Sequence, residues 1–292
     1  MFGGESNQRV SYSDTWEYDP VTNIWMERFP DFHPEGVGGT SSAYDSESDK
    51  FIFYFSTILD RSVSSGLIGI SETWAYDFQT NTWEKMSPIS HPEKIMGARL
   101  AYDSESDRVI LFGGADFTAN ETTTFTETWA YDYNTNTWEK MNPAQTPIGR
   151  SYHAMAYAES QDRIFVFGGR VQESDEVRQN ELWAYDYNSD SWDEVVYIGE
   201  PAPDHHAMMV YNPLVDELWY LVGTDFKAFD LKAFTWETIS ESPGNSRIHF
   251  HAMAVDAFGD LILFGGGPRG LFYKDHLFRY SIATHEWMRV NP

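Results

Sequence analysis

Cysteine is absent from the 292 residues, which excludes disulfides, thiolate metal sites and thiol nucleophiles and leaves the redox compartment unmarked. Basic residues are scarce, with 20 Lys and Arg against 45 Asp and Glu and a formal charge of -25. Binding along a nucleic-acid backbone depends on neutralising phosphates with Lys and Arg, so no nucleic-acid partner is expected. No stretch approaches the roughly 18 consecutive apolar residues of a membrane span, and the N-terminus lacks a basic segment followed by an apolar one. No membrane span is therefore expected, and no compartment is indicated. The metalloprotease HExxH, the GxSxG elbow, the phosphate-binding GxxxxGK[ST] and the dinucleotide fingerprint are all missing. No catalytic residue and no cofactor are expected.

What the chain has is aromatics, at 16% of its residues within a hydrophobic total of 41%. A chain of this size buries roughly 75% of its extended surface on folding, so an ordered core is expected. The aromatics recur in step. Trp74, Tyr76 and Asp77 are followed by Trp83; Trp129, Tyr131 and Asp132 by Trp138; Trp183, Tyr185 and Asp186 by Trp192; and Trp16, Tyr18 and Asp19 by Trp25. Weaker copies run from Phe229 and Asp230 to Trp236, and from Tyr280 and Ser281 to Trp287. The Trp residues that end the copies lie 58, 55, 54, 44 and 51 residues apart, the spacing of propeller blades or large solenoid units.

In every copy the ring precedes the closing Trp by seven residues. A hairpin with a short even loop sets residues an odd number apart opposite each other on one face, so Tyr131 is expected to pair with Trp138. Trp129 shares their face, and Ala130 lies on the reverse. A sheet with rings on one side and a methyl on the other can stack on its own copies, rings against Ala75, Ala130, Ala184 or Ala228. Upstream of each hairpin except the first stands another pair of short apolar runs, such as those holding Tyr102 and Val109 to Phe112, or Tyr157 and Ile164 to Phe167. Turn-forming residues bound these runs, so each unit reads as four strands.

A double Gly, a Tyr-Asp pair and a Trp six residues beyond the Asp, repeated about every fifty residues along essentially the whole chain, closely resemble the kelch repeat. The resemblance implies an all-β, six-bladed propeller of four antiparallel strands per blade around a central channel, with blades near 1–31, 40–88, 98–143, 152–197, 205–241 and 249–292. The first blade is expected to be incomplete, because Met1, Phe2, Gly3 and Gly4 match only the end of a second strand; on this reading the chain is truncated at its N-terminus. The propeller also resembles the galactose oxidase scaffold, whose copper-radical site needs a Cys-crosslinked Tyr that this chain cannot form.

Antiparallel order puts the short, uniform turns on one face of the disc, where carboxylates from every blade outnumber the cations Lys50, Arg108, Arg163 and Lys232. The alternating Asp45, Glu47 and Asp49 suggest an oxygen-ligand loop, but without its Gly turn and distal Glu they read as a solvated hairpin turn. The opposite face carries the loops that differ between blades, as recognition surfaces on rigid scaffolds do. His153, His206 and His251 each stand two residues before a Met and read as one repeated position at the channel mouth. Three converging His could hold zinc or copper, yet recurrence in step with the blades reads as a structural role, and no metal is assigned. The residues expected to bind a partner are Arg150, His153, Arg170, His206, Arg247, His251 and Arg269. The expected function is non-catalytic recognition of a protein or peptide through the variable face; the alternative is a carbohydrate-binding or carbohydrate-active propeller with its pocket at the channel mouth.

Overall fold

A computed structural model describes residues 1–5, 11–35, 41–59, 67–93, 95–117, 122–171, 179–199, 201–204, 206–243, 249–267 and 276–290. The first blade holds β1 (Phe2–Glu5), β2 (Ser11–Asp19) and β3 (Ile24–Arg28). The second holds β4 (Ser41–Asp45), β5 (Lys50–Leu59), β6 (Leu67–Asp77) and β7 (Thr82–Met86). The third is β8 (Arg99–Asp103), β9 (Arg108–Phe112), β12 (Thr128–Asp132) and β13 (Thr137–Lys140), with the two-residue β10 (Ala115–Asp116) and β11 (Thr123–Thr124) as a separate ladder above it. The fourth is β14 (Ala154–Ala158), β15 (Arg163–Phe167), β16 (Leu182–Asp186) and β17 (Ser191–Val195). The fifth is β18 (Met208–Asn212), β19 (Glu217–Val222), β20 (Asp225–Asp230) and β21 (Thr235–Glu241), and the sixth β22 (His249–Val255), β23 (Leu261–Gly267), β24 (Leu277–Ser281) and β25 (Glu286–Val290). Blades two to six are four-stranded antiparallel sheets in chain order from hub to rim, and blade one is three-stranded. The fold is the six-bladed propeller that the repeat predicts.

The aromatic hairpins take the expected register. Tyr131 pairs with Trp138, Tyr76 with Trp83 and Tyr185 with Trp192, their ring centroids 4.8 to 4.9 Å apart. Between blades the rings meet the small side of the preceding sheet: Trp129, Tyr131 and Trp138 pack on Ala75 and Ile52, and Tyr185 and Trp192 on Ala130 and Ile110. The ring closes through Trp25 of blade one, 5.0 Å from Phe264 of blade six.

A polar cross-link accompanies this packing, because a buried indole N–H needs an acceptor. Trp83, Trp138 and Trp192 donate from Nε1 to the Oγ1 of Thr15, Thr73 and Thr128 in the preceding blade, at 3.2, 2.9 and 3.0 Å. Leu182 holds the corresponding place in blade four, and the buried Nε1 of Trp236 in blade five has no hydrogen-bond partner. In blades two to four the Asp of the Tyr-Asp pair has two duties: Asp77, Asp132 and Asp186 accept backbone N–H groups in their own turns and pair with Lys50, Arg108 and Arg163 on the next strand inward.

One expected loop is strand instead. The segment between the second and third strands of blade two begins as ladder, with Ile58 pairing Ile68 and Leu59 pairing Leu67. Its β-branched residues favour the pleated backbone, so the ladder continues from Phe55 as far as Leu59 and Leu67.

Candidate functional site

On the face of the short turns, Asp45 and Asp103 accept two backbone N–H groups each at 3.0 to 3.1 Å, and Tyr44, Tyr102 and Tyr157 donate to Asp49, Asp107 and Asp162. These are turn-closing roles. Carboxylates nevertheless crowd across the blade boundaries, where Asp45, Glu47 and Asp107 form one set and Asp103, Glu105 and Asp162 another, with oxygens within 4.8 Å. Asn134 and Asn188 donate amide hydrogens into the two sets. Burial, reinforced by the neighbouring acids, pushes Asp103 and Asp107 above the usual carboxylate range.

The opposite face is built differently. Just before the innermost strand of blades three, four and five, the chain passes through the left-handed conformation at Gly97 (φ 67°), Tyr152 (φ 55°) and His206 (φ 65°). The three positions are joined in series, Tyr152 N–H donating to the Gly97 carbonyl at 2.7 Å and His206 N–H to the Tyr152 carbonyl at 2.9 Å. Their side chains climb in steps. The Tyr152 ring lies beside Gly97, where a Cβ would sit 3.0 Å from it, the His206 ring leans against Tyr152 with centroids 4.4 Å apart and planes inclined by 37°, and Phe117 flanks Tyr152 at 5.9 Å.

This series corrects the expected histidine register. Tyr157 pairs with Ile164 and Tyr211 with Leu218, one step inside the second strand in both blades, so His153 corresponds to Ala207, four residues before the Tyr. His206 stands one residue earlier, at the mouth. The doubled Met208 and Met209 caused the misreading, since Met209, not Met208, faces back toward blade four beside Ala154 and Ala156. His251, paired with Gly265, is the true counterpart of His153. The three imidazoles therefore do not form one row, and the groupings of three potential metal ligands among the described residues are the two carboxylate sets.

His153 is fully buried, edge-on to Phe112 at 5.5 Å, and neither ring nitrogen makes a well-formed hydrogen bond. Burial, with the Arg99 and Arg150 guanidiniums beside it, holds its pKa well below the usual 6.5. The sign of the resulting pH dependence is that of a base kept neutral in the fold. Above pH 6.5 neither state is charged; below it the unfolded chain takes up a proton that the folded one refuses, and stability falls by up to about 1.4 kcal/mol per pH unit. His153→Gln is expected to flatten the difference in urea-unfolding free energy between pH 6.5 and pH 5 relative to the parent. An unchanged slope would assign that pH dependence to other groups.

Arg150 is fully buried and donates to the carbonyls of Ile148 and Gly168 at 3.1 and 3.2 Å and to Glu181 at 3.3 Å; burial pulls its pKa down to about 10. Arg170 is partly exposed, its backbone bridged to Ser151 and its charge felt by Tyr152. Arg247 and Arg269 lie outside the described residues. Arg99 is not among the residues that the sequence singles out for binding, but the geometry sets it apart. Its Nε donates to the His153 carbonyl at 2.9 Å, burial lowers its pKa, and among the described residues no carboxylate pairs with it. Arg99 and Arg170 thus flank Tyr152 with positive charge at the top of the channel. Tyr152 and Phe117 escape the sequence reading because they follow no period; the one available signal is that Gly97 holds the Tyr152 position in the preceding blade.

A family model described as the KLHDC2/KLHL20/DRC7 Kelch-repeats domain matches residues 68–228, more than half of the chain. Among curated proteins, the chain is 20% identical to "Kelch domain-containing protein 1" of Mus musculus over 292 residues, covering 90% of this chain and 70% of that one. It is 21% identical to "Mei4-dependent protein 6" of Schizosaccharomyces pombe over 258 residues, 77% of this chain but only 37% of that protein's length.

Proposed function

The chain belongs to the kelch-repeat β-propeller family, and on that premise we propose that it is a non-catalytic recognition module that holds a protein or peptide partner at the channel mouth of the variable face. The observation that carries this reading is the mouth of blades three to five. Tyr152 and His206 are non-glycine residues in the left-handed region, each at a cost of about 1 kcal/mol or more, where Gly97 would serve the backbone equally well. That cost is offset if their rings have a task, and two adjoining rings beside an arginine offer a partner apolar area and charge together. Arg99 adds polarity. In a protein of net charge -25, a cation without a carboxylate partner among the described residues favours an anionic group on whatever enters, and a charge-assisted hydrogen bond contributes about 1.5–3 kcal/mol.

The test is selection of a random-peptide display library on the whole protein. Enriched peptides are expected to lose about 10- to 100-fold in affinity on Arg99→Ala, the same energy expressed as a binding ratio, and to weaken on Tyr152→Gly, with both variants folded. Peptides that bind both variants unchanged but are lost on Glu47→Gln/Glu105→Gln would place recognition on the acidic face and overturn the reading. Glycan binding that depends on Tyr152, without any peptide enrichment, would favour the carbohydrate alternative.

A further inference from the structure

In blades two and three the outer hairpin sets a lysine over an indole. Trp74 pairs across the strands with Lys85, and Trp129 with Lys140. Each Nζ stands 5.8 Å from the centroid of its tryptophan ring and donates to the glutamate two residues before that tryptophan, Glu72 or Glu127. The same glutamate accepts the indole N–H, at 2.9 Å in both blades. One carboxylate oxygen takes the indole proton and the other takes the ammonium. The arrangement holds a cation twice over, by the negative face of the ring and by a charge-assisted hydrogen bond. Both indoles are buried beneath it.

Blade four keeps the ring and the acceptor but not the cation. Trp183 donates from Nε1 to Glu181 at 3.4 Å, and the residue opposite Trp183, where the lysine stands in the other two blades, is Glu194. The Glu181 oxygen that accepts the indole also accepts from Arg150 Nη2 at 3.3 Å. Among the described residues its other oxygen, the counterpart of the one that takes the lysine, accepts no hydrogen bond. Glu194 is exposed and joins no ion pair among the described residues, and Trp183 is only partly buried. Residues directly opposite, or two apart on one strand, share a face, so both carboxylates and the indole lie on the same side of the sheet. Blade one also has a glutamate, Glu27, opposite Trp16, but there the shorter Asp14 accepts the indole. Lys227 and Phe278 replace the tryptophan in blades five and six. Blade four is thus where the Trp-Glu pair persists without its lysine.

We propose that Trp183, Glu181 and Glu194 form a binding site for the ammonium group of a lysine side chain presented by another protein. The ligand takes the place that Lys85 and Lys140 hold in their own blades. Its alkyl stem lies along the indole, and its ammonium meets the open oxygen of Glu181, with Glu194 as a second carboxylate. Replacing the internal lysine by glutamate therefore does more than empty the place; it reverses the local charge in favour of an incoming cation. At a net charge of -25 two copies of this chain repel each other, so the lysine belongs to a different protein. The blade itself is a complete four-stranded sheet between two others, so the site is a feature of finished structure.

The probe is N-acetyl-lysine methylamide, titrated into the whole protein with isotope-labelled tryptophan and followed by the Trp183 indole resonance, which Trp183→Phe identifies. A shift that saturates at the millimolar concentrations proper to a single side chain is expected. The derivative acetylated on the side-chain amine, which carries no charge, is expected to produce none. Glu194→Lys fills the site from within, so it is expected to abolish the shift and to raise Tm by about 1–4 °C. Conversely, Lys140→Glu is expected to make the Trp129 resonance respond as well. A Trp183 resonance that ignores the lysine derivative, answers the acetylated one equally, or still responds in Glu194→Lys would overturn the proposal. n-Butylamine acting at lower concentration than the lysine derivative would assign the site to free amines and overturn the lysine source. The channel-mouth reading is tested on peptides sensitive to Arg99, so the two can fail separately.

Discussion

Replacing Trp192 with alanine is expected to lower the free energy of unfolding by about 3–5 kcal/mol, the range for deleting a buried tryptophan. The indole is completely buried between blades three and four, 4.7 Å from Phe112 and 4.9 Å from Tyr185. Its removal opens a cavity in a sheet-to-sheet contact that neither rigid sheet can collapse to fill. It also strands the Thr128 hydroxyl, which accepts the indole proton at 3.0 Å, and a buried polar group left alone adds to the loss. Denaturant titration of both proteins checks the value. Trp25, the same repeat position in blade one, is only partly buried, and its replacement is expected to cost clearly less. If the two changes cost the same, burial between blades would not be what the repeat encodes.

That comparison shows what the sequence could reveal. Ring and methyl alternate with period two across a hairpin, and the seven-residue offset between Tyr131 and Trp138 fixes their register, so strands, blades and packing sides all follow from one local rule. The candidate site follows no such rule. Whether His206 corresponds to His153 depends on which of Met208 and Met209 faces blade four, and side-chain type alone cannot distinguish them. Whether Tyr152 marks a functional position depends on its positive φ, which the sequence betrays only through Gly97 one blade earlier. Arg99 and Arg150 look alike in the sequence, yet one finds carbonyls and a carboxylate and the other a single carbonyl beside the channel. Repetition encodes what all blades share, and the proposed site lies where they differ.

The contrast between those two arginines gives the second large effect. Arg150→Met, which keeps much of the side chain's bulk, is expected to destabilise the protein by about 2–4 kcal/mol. Breaking a buried ion pair by removing one partner costs about 3–5 kcal/mol, and the Glu181 carboxylate, 38% exposed, recovers part of its hydration. The carbonyls of Gly168 and Ile148 lose their guanidinium donor at the same time. Among the described residues Arg99→Ala removes one hydrogen bond to a carbonyl and no ion pair, and it is expected to cost about 1 kcal/mol. Measured on folded protein at a temperature well below both transitions, the order reverses: selected peptides should bind Arg150→Met nearly as tightly as the parent and Arg99→Ala at least 10-fold more weakly. Stability loss confined to Arg150 and affinity loss confined to Arg99 would assign one arginine to holding blade four together and the other to reading what enters the channel. Equal affinity losses at constant fold would instead mean that the mouth reorganises around its ligand, with the buried guanidinium released to meet it.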